Sequence, residues 1–143
     1  MPKISGVTHM KRLILIMFLV LSGGPAYAEW IELAYTDGPE GYTLHVDPDT
    51  IRRKGTLVKI WVLYDYKTIQ KMEGTSYTYM SSRVQSQYDC VEERSRRLSL
   101  AWFSGNMANG TVVVISQDES KWTPVAPGSI GQVLWKFTCE EMK

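Results

Sequence analysis

The sequence predicts an α+β fold, in which an antiparallel β-sheet of five or six strands carries a C-terminal α-helix packed on it and one disulfide. Three observations lead to this class. Segments that alternate apolar and polar residues recur between turn residues, which is typical of strands. The chain holds 8 tyrosines and 5 tryptophans, residues that favour strands. Near the C-terminus the apolar residues change to helical spacing.

The strands and the turns between them can be assigned in order. The expected strands are residues 30–35, 42–47, 56–69, 75–90, 96–103 and 111–116. The expected turns and connections are residues 36–41, 47–50, 54–55, 70–74, 105–110 and 117–121. The strand at 56–69 is apolar on both faces near its centre, so we expect it to be central and covered on both sides. In the strand at 75–90, alternation puts Tyr77, Tyr79 and Ser81 on one side and Ser82, Tyr88 and Cys90 on the other.

The last segment predicts a helix that begins after Ser129. Ser129 is the expected N-cap, and Gln132 stands three residues later in a capping-box pattern. The apolar residues at helical spacing are Ile130, Val133, Leu134 and Phe137. One helix covers only part of a sheet, so we expect either strong sheet curvature or a partner chain.

The N-terminus has the features of a signal peptide. Lys11 and Arg12 precede nine apolar residues at 13–21, and Ala26-Tyr27-Ala28 fits the cleavage rule, so residues 1–28 are the expected signal peptide, cleaved after Ala28. The apolar run is shorter than the about 20 residues that cross a bilayer. Met10 is a possible true start. No cysteine follows the cleavage site, so we expect one domain at 29–143 that is exported and not lipidated, in the periplasm, secreted or at the cell surface.

The expected mature chain lacks the excess of basic residues that is typical of nucleic-acid-binding proteins. Without Lys3, Lys11 and Arg12, 13 of the 16 basic residues remain against 15 acidic ones, a net charge near −2. A nucleic-acid-binding protein would be expected to show a basic footprint.

Two cysteines, Cys90 and Cys139, remain after export into an oxidising compartment. An even count in a small exported domain favours a disulfide. A reactive thiol or a metal ligand stays the alternative, but His45 is then the only histidine, so a nucleophile lacks an evident base and a zinc site lacks ligands at close spacing.

Several landmarks occur in a characteristic order: "YTLHVDPDTIRRKG", "VKIWVLYDY", "SSRVQSQYDC", "ANGTVVV" and "WTPVAPGSIGQVLWKFTC". Over residues 30–140 this order resembles the surface-adhesin protein E family of bacterial exported proteins. The resemblance implies an antiparallel sheet with a packed C-terminal helix, a disulfide between Cys90 and Cys139, and adhesins that bind host proteins and can dimerise. Named members are lipid-anchored, and this sequence departs from them because it lacks the lipidation cysteine.

Few residues are candidates for a site. Tyr64, Tyr66, Tyr77 and Tyr79 lie on neighbouring strands, where they can pack across the sheet or line a recognition surface. His45 is the candidate ligand of haem, the one cofactor considered; otherwise no cofactor and no metal is expected. The stretch with Arg94, Arg96 and Arg97 predicts cross-strand ion pairs or a patch for an acidic ligand.

We therefore expect a non-catalytic, adhesin-like binding module of the cell envelope. It would bind a macromolecule, a host or envelope protein, through a sheet face or loops. The alternatives are a small-ligand carrier that binds haem and a structural component that acts as a homodimer. No enzyme constellation is evident in the sequence, since one histidine remains and there is no glycine-rich phosphate loop.

Overall fold

The computed structural model describes residues 29–141, which form one antiparallel sheet with a helix on one face. The strands are β1 (Ile31–Tyr35), β2 (Tyr42–Lys54), β3 (Leu57–Lys71), β4 (Thr78–Asp89), β5 (Arg94–Phe103), β6 (Val112–Ser116) and β7 (Thr123–Pro124). β1 to β6 follow one another in space as in sequence, and the two-residue β7 pairs with the start of β5. Helix α1 (Ile130–Lys136) continues into a π-helical turn (Phe137–Glu141). This confirms the predicted fold class.

The two faces of the sheet differ in what covers them. On the face that we call helix-covered, apolar side chains of β2, β3 and β4 pack against α1 and the π-helical turn. The buried members of this core are Leu44, Val46, Ile60, Val62, Tyr88, Leu134, Trp135 and Cys139. We call the opposite face, with Trp61 and Arg83, the open face. Burial of the apolar residues removes their side chains from water and is the main stabilising term of the fold.

The prediction that a turn at residues 47–50 ends a strand is wrong. β2 runs through it, and the register shifts between the Asp47–Trp61 and Arg52–Lys59 pairs. The turn chemistry is present locally, because the Asp47 carboxylate accepts a hydrogen bond from Asp49 N and its carbonyl accepts one from Thr50 Oγ1. The aspartate therefore makes a bulge inside a strand rather than a strand end.

The helix begins where the sequence predicts, but it buries a different stripe. Ser129 Oγ accepts a hydrogen bond from Gln132 N at 3.2 Å. Val133, predicted inside, is exposed, whereas Trp135 is buried. The cause is a polar anchor, since the Trp135 indole N–H donates to the Asp89 carbonyl at 3.0 Å and so turns the indole toward the end of β4.

A disulfide joins the end of β4 to the π-helical turn. Cys90 and Cys139 are bonded, with their Cα atoms 5.6 Å apart, as predicted. Beside this bond, Arg53 donates to the carbonyl of Thr138 at 3.1 Å. The C-terminal segment is thus held to the sheet by one covalent and several polar contacts.

On the open face, the β5–β6 connection folds back over β3 and β4. The Asp65 carboxylate accepts hydrogen bonds from Met107 N and the Asn106 amide, and Ser81 Oγ accepts one from Ala108 N and donates to Gly105 O. Met107 and Ala108 lie in the left-handed region, with φ of 54° and 58°. The predicted Asn109-Gly110 turn is therefore part of a longer β5–β6 connection that is hydrogen-bonded to β3 and β4, and the backbone of Met107 and Ala108 in this connection is strained.

Within residues 29–141, no helix is long and apolar enough to cross a membrane. The predicted signal peptide, its cleavage after Ala28 and the alternative start at Met10 lie outside the described residues and stay predictions.

Candidate binding site

An aromatic ladder crosses four strands on the helix-covered face. We use this name for five rings: Tyr42 of β2, Tyr64 and Tyr66 of β3, Tyr79 of β4 and Trp102 of β5. Tyr42 meets Tyr64 and Tyr66 edge to face at 5.1 and 5.6 Å, and Tyr66 meets Tyr79 at 5.7 Å. Tyr79 stacks on Trp102 at 4.2 Å with an angle of 19° between the planes. Such geometries are the favourable ones for ring pairs and hold each ring in place.

The strand register explains why these rings meet. Tyr42 is directly opposite Tyr66, and Tyr64, Ser82 and Trp102 form one row across β3, β4 and β5. Residues in one such row point to the same face of the sheet. Pairing therefore brings the rings of β2, β3 and β5 to one face, and Tyr79 of β4 joins them at a register shift.

The face predicted for Tyr79 is wrong. Alternation puts it beside Tyr77 and Ser81, but the structure puts its ring on Trp102, on the face of Ser82. The register between β3 and β4 shifts between the Asp65–Ser81 and Gln70–Tyr79 pairs, so strict alternation does not extend through this bulge. Tyr77 lies just before β4, exposed and outside the ladder.

A groove runs between the ladder and the helix. We call it the ladder groove; its volume is about 430 Å³. Its floor includes Ser86, Val84 and Leu100, and α1 supplies one wall through Gly131 and Leu134. Hydroxyl groups, aromatic rings and aliphatic side chains thus line the same depression, a mixture that is typical of recognition sites.

The phenols of the ladder stay protonated at neutral pH. Burial raises the pKa of Tyr66 to about 12 and raises the pKa of Tyr64 further, and the neighbouring phenols add to both effects. Burial also raises the pKa of Tyr42 and Tyr79. The ladder therefore presents neutral hydroxyls rather than charges.

Arg97 brings a cation to the ladder groove. It is opposite Ser86 in the sheet, and its Nε is enclosed without a hydrogen-bond partner. No acidic side chain within residues 29–141 pairs with its guanidinium. Arg94 and Arg96 are on the other face, where they pair with Asp89 and Glu119 at 3.1 and 3.3 Å, although Arg96 also borders the ladder groove. The predicted cross-strand ion pair thus forms at Arg94, Arg96 pairs instead with Glu119 in the loop after β6, and Arg97 differs from both.

His45 is not part of the ladder groove. It is opposite Leu63 in the sheet and hence on the open face, half-buried, with its Nδ1 enclosed and without a partner among the described residues. The structure brings Tyr64, Tyr66 and Tyr79 together and leaves His45 and Tyr77 apart. The sequence analysis did not identify Tyr42 and Trp102 as part of the ladder. Their place in it depends on the pairing register between strands, which the sequence of a single strand does not reveal. No group of three or more metal-capable side chains occurs in the part of the chain described.

The family model of surface-adhesin protein E matches residues 30–140. The chain belongs to this family. Membership supports an adhesin-like role at the cell surface. No curated protein sequence matches this chain.

Solved structures of Haemophilus influenzae protein E have the same fold. Crystal form II superposes with a TM-score of 0.61 at 10% identity, covering 82% of this chain and 92% of that chain. Another protein E structure gives 0.59 at 10% identity and covers 82% and 89%. Protein E from a non-typeable strain gives 0.53 at 13% identity and covers 79% and 85%. At these identities the likeness establishes the fold alone.

Proposed function

We propose that this protein is an exported, non-catalytic binding module of the bacterial cell envelope that holds a macromolecular partner in the ladder groove. The observation that carries the proposal is the aromatic ladder, whose five rings are ordered by mutual contacts and by strand pairing yet are not sealed in the core. Rigid, partly exposed aromatic rings supply contact area at a low cost in side-chain entropy, and for this reason they are enriched where proteins bind.

Arg97 defines the chemistry of the partner further. An enclosed guanidinium N–H without an acceptor is unfavourable, and a partner that brings a carboxylate or a carbonyl into the groove would satisfy it. Charge-assisted hydrogen bonds of this kind are among the stronger polar contacts. We therefore expect a protein partner that inserts an apolar side chain next to an acidic one.

The experiment is a comparative capture followed by an affinity measurement. The immobilised protein is exposed to envelope extract and to extracellular-matrix proteins, and whatever it retains is identified by mass spectrometry. The same capture with Trp102→Ala, Arg97→Gln and Tyr77→Ala discriminates the site. Tyr77 is the matched control, because it is an exposed tyrosine outside the ladder. Circular dichroism confirms that each variant is folded.

Retention that is lost with Trp102→Ala and Arg97→Gln but kept with Tyr77→Ala supports the proposal. Retention that all three variants share, or no specific retention by the wild-type protein from either source, contradicts it.

A homodimer is the second candidate, and one observation favours it. β6 is an edge strand, and its Val112 and Ile115 side chains are 50% and 67% exposed. An unprotected apolar edge can pair with a strand of another chain. Size-exclusion chromatography with light scattering tests this candidate; a strict monomer at micromolar concentration rejects it.

Haem binding through His45 has less support from the geometry. His45 and the ladder tyrosines are on opposite faces, so they cannot ligate one iron atom. A haem titration followed at the Soret band, with His45→Ala as the control, tests the remaining single-ligand version.

A further inference from the structure

A row of cationic side chains crosses the open face, on the side of the sheet opposite the ladder tyrosines. Arg52 of β2 is opposite Lys59 of β3, Lys59 is opposite Gln87 of β4, and Gln87 is opposite Arg96 of β5. Neighbouring strands are about 4.8 Å apart, so the row spans about 14 Å. Lys54 is on the same face, one row nearer to the β2–β3 turn.

These side chains line one depression, which we call the basic groove. It has a volume of about 270 Å³, and its lining includes Arg52, Lys54, Lys59, Gln87, Arg96, Leu57, Leu98 and Glu119. Arg53 is also at its border and is held by the Thr138 carbonyl. Glu119 is the one acid among the described lining residues. The groove is therefore strongly positive, although the exported part of the chain is slightly negative.

The fold does not explain this arrangement. Like charges directly opposite each other in a sheet are destabilising, yet Arg52 and Lys59 are such a pair. The Arg52 guanidinium donates to the carbonyls of Asp49 and Ile51, which are neutral, and Lys59 has no ion pair within residues 29–141. Neither of these hydrogen bonds neutralises the charge pair, and an anionic ligand would compensate for it.

Arg96 is held in a fixed position in the groove, where Glu119 pairs with one of its guanidinium nitrogens at 3.3 Å. Its guanidinium lies over the Trp122 ring at 4.6 Å from the centroid, and its Nε donates to Gln87 Oε1 at 2.8 Å. The side chain is only 26% exposed. Lys59 is half-buried as well, with Leu57 and Leu98 beside it. Arg52 and Lys54 are exposed at the rim of the groove, whereas Lys59 and Arg96 are recessed, so a flat bilayer surface reaches only the rim and a narrow chain that enters the groove reaches all four.

We propose that the basic groove binds a linear sulfated polysaccharide. A length of about 14 Å exceeds the reach of one sulfate, so the ligand must carry several anionic groups in sequence. The lining carries five basic residues against one acid, which favours a ligand with a high density of negative charge, and sulfation supplies that density. The side chains of Leu57 and Leu98 offer apolar contact for the C–H faces of the sugar rings. This site is on the opposite face of the sheet from the ladder groove, although Arg96 borders both grooves, and it does not depend on the function proposed above.

The test measures the affinity of the purified protein for a size-defined heparin oligosaccharide by calorimetry at low and physiological salt. Lys59→Gln and Arg52→Gln should each weaken binding about tenfold, the effect of one charge-assisted contact. Glu119→Gln should strengthen binding roughly two- to fivefold, because the substitution removes the acid that pairs with Arg96. Lys71→Gln is the matched control, since Lys71 is exposed at the far end of the same strand, and it should change the affinity less than about twofold.

A second readout separates a binding role from a structural one. Because Arg52 and Lys59 repel each other, Lys59→Gln should leave the melting temperature unchanged or raise it. Two further probes test the ligand class: the same oligosaccharide after desulfation should bind at least about tenfold more weakly, and vesicles of anionic phospholipid should bind weakly and without dependence on Lys59.

Three outcomes would overturn the proposal. The wild-type protein does not bind the sulfated oligosaccharide at low salt; Lys71→Gln weakens binding as much as Lys59→Gln, which indicates bulk charge alone; or the desulfated chain or the vesicles bind as tightly with the same dependence on Lys59.

Discussion

Removal of the disulfide should lower the stability of this domain substantially without releasing the helix from the sheet. The bond between Cys90 and Cys139 closes a loop with a sequence separation of 49. In the chain-entropy model, a loop of this length restricts the unfolded chain enough to stabilise the native state by about 4 kcal/mol. For a domain of about 110 residues, this corresponds to a fall in melting temperature of about 15 °C.

The helix should stay docked after reduction, because other contacts hold it. Leu134 is in the core, the Trp135 indole donates to the Asp89 carbonyl, and Arg53 donates to Thr138 O. The native circular dichroism spectrum should therefore be nearly unchanged, while the urea m-value rises because the unfolded chain expands.

The assay is thermal and urea unfolding of the wild-type protein with and without a phosphine reductant, next to Cys90→Ala/Cys139→Ala. The double variant controls for effects of the reductant, since it has no bond to reduce, and it should melt near the reduced wild-type protein. A reduced protein that melts within about 5 °C of the oxidised one would refute the reasoning, because the loop would then not constrain the unfolded chain.

Three further predictions follow from the protonation states and the backbone. Burial raises the pKa of Tyr66 to about 12 and also raises the pKa of Tyr64, whereas unfolded phenols ionise near 10. These two phenols therefore contribute their full stabilisation below pH 10 and lose it as the pH rises from there toward 12. The part of the tyrosinate absorbance that Tyr64→Phe and Tyr66→Phe remove should appear together with unfolding, because exposed tyrosines such as Tyr77 contribute to the rest. A hydrogen bond from the Glu92 N–H, assisted by Arg94, lowers the pKa of Asp89 from its ordinary value of 3.8. The Asp89 carboxylate therefore stabilises the fold above pH 3.8 and loses this effect as the pH falls through its lower folded pKa. Asp89→Asn should have a lower melting temperature than the wild type at pH 7, and its melting temperature should fall less on acidification. Gly110→Ala should destabilise the fold by about 1–3 kcal/mol in urea unfolding, because φ is +81° and the added Cβ would meet Ser104 Oγ.

Each of these has an outcome that contradicts it. If the absorbance that Tyr64→Phe and Tyr66→Phe remove appears near pH 10 in a protein that is still folded, the ladder phenols are open to water. An acid-induced fall in melting temperature that is equal in wild-type protein and Asp89→Asn would remove Asp89 as its source. A Gly110→Ala protein as stable as the wild type would mean that the β5–β6 connection tolerates a different backbone conformation.

Local chemistry in the sequence predicted much of the fold. Ser129 and Gln132 give the helix start because capping depends on residues within one turn. The central position of β3 follows from apolar residues on both of its faces, and Ile60, Val62 and Leu63 are fully buried. These features depend on contacts that are close in sequence or on composition alone.

The errors concern register, which depends on contacts distant in sequence. Alternation assigns Tyr79 to the wrong face because a bulge separates it from Ser81, and nothing in β4 alone reveals that bulge. Trp135 displaces Val133 from the interior because its indole finds the Asp89 carbonyl, 46 residues away in sequence. For the same reason the aromatic ladder and the basic groove could not be predicted, since both consist of residues from four strands that meet only after the sheet has formed.

The most direct test of the proposed function is the equilibrium affinity of wild-type protein, Trp102→Ala and Tyr77→Ala for the partner that the capture recovers. If the ladder holds that partner, Trp102→Ala should weaken binding by about thirtyfold, the effect expected for an aromatic residue at the centre of an interface, and Tyr77→Ala should change it less than about twofold. Equal affinity of the wild-type protein and Trp102→Ala would contradict the account.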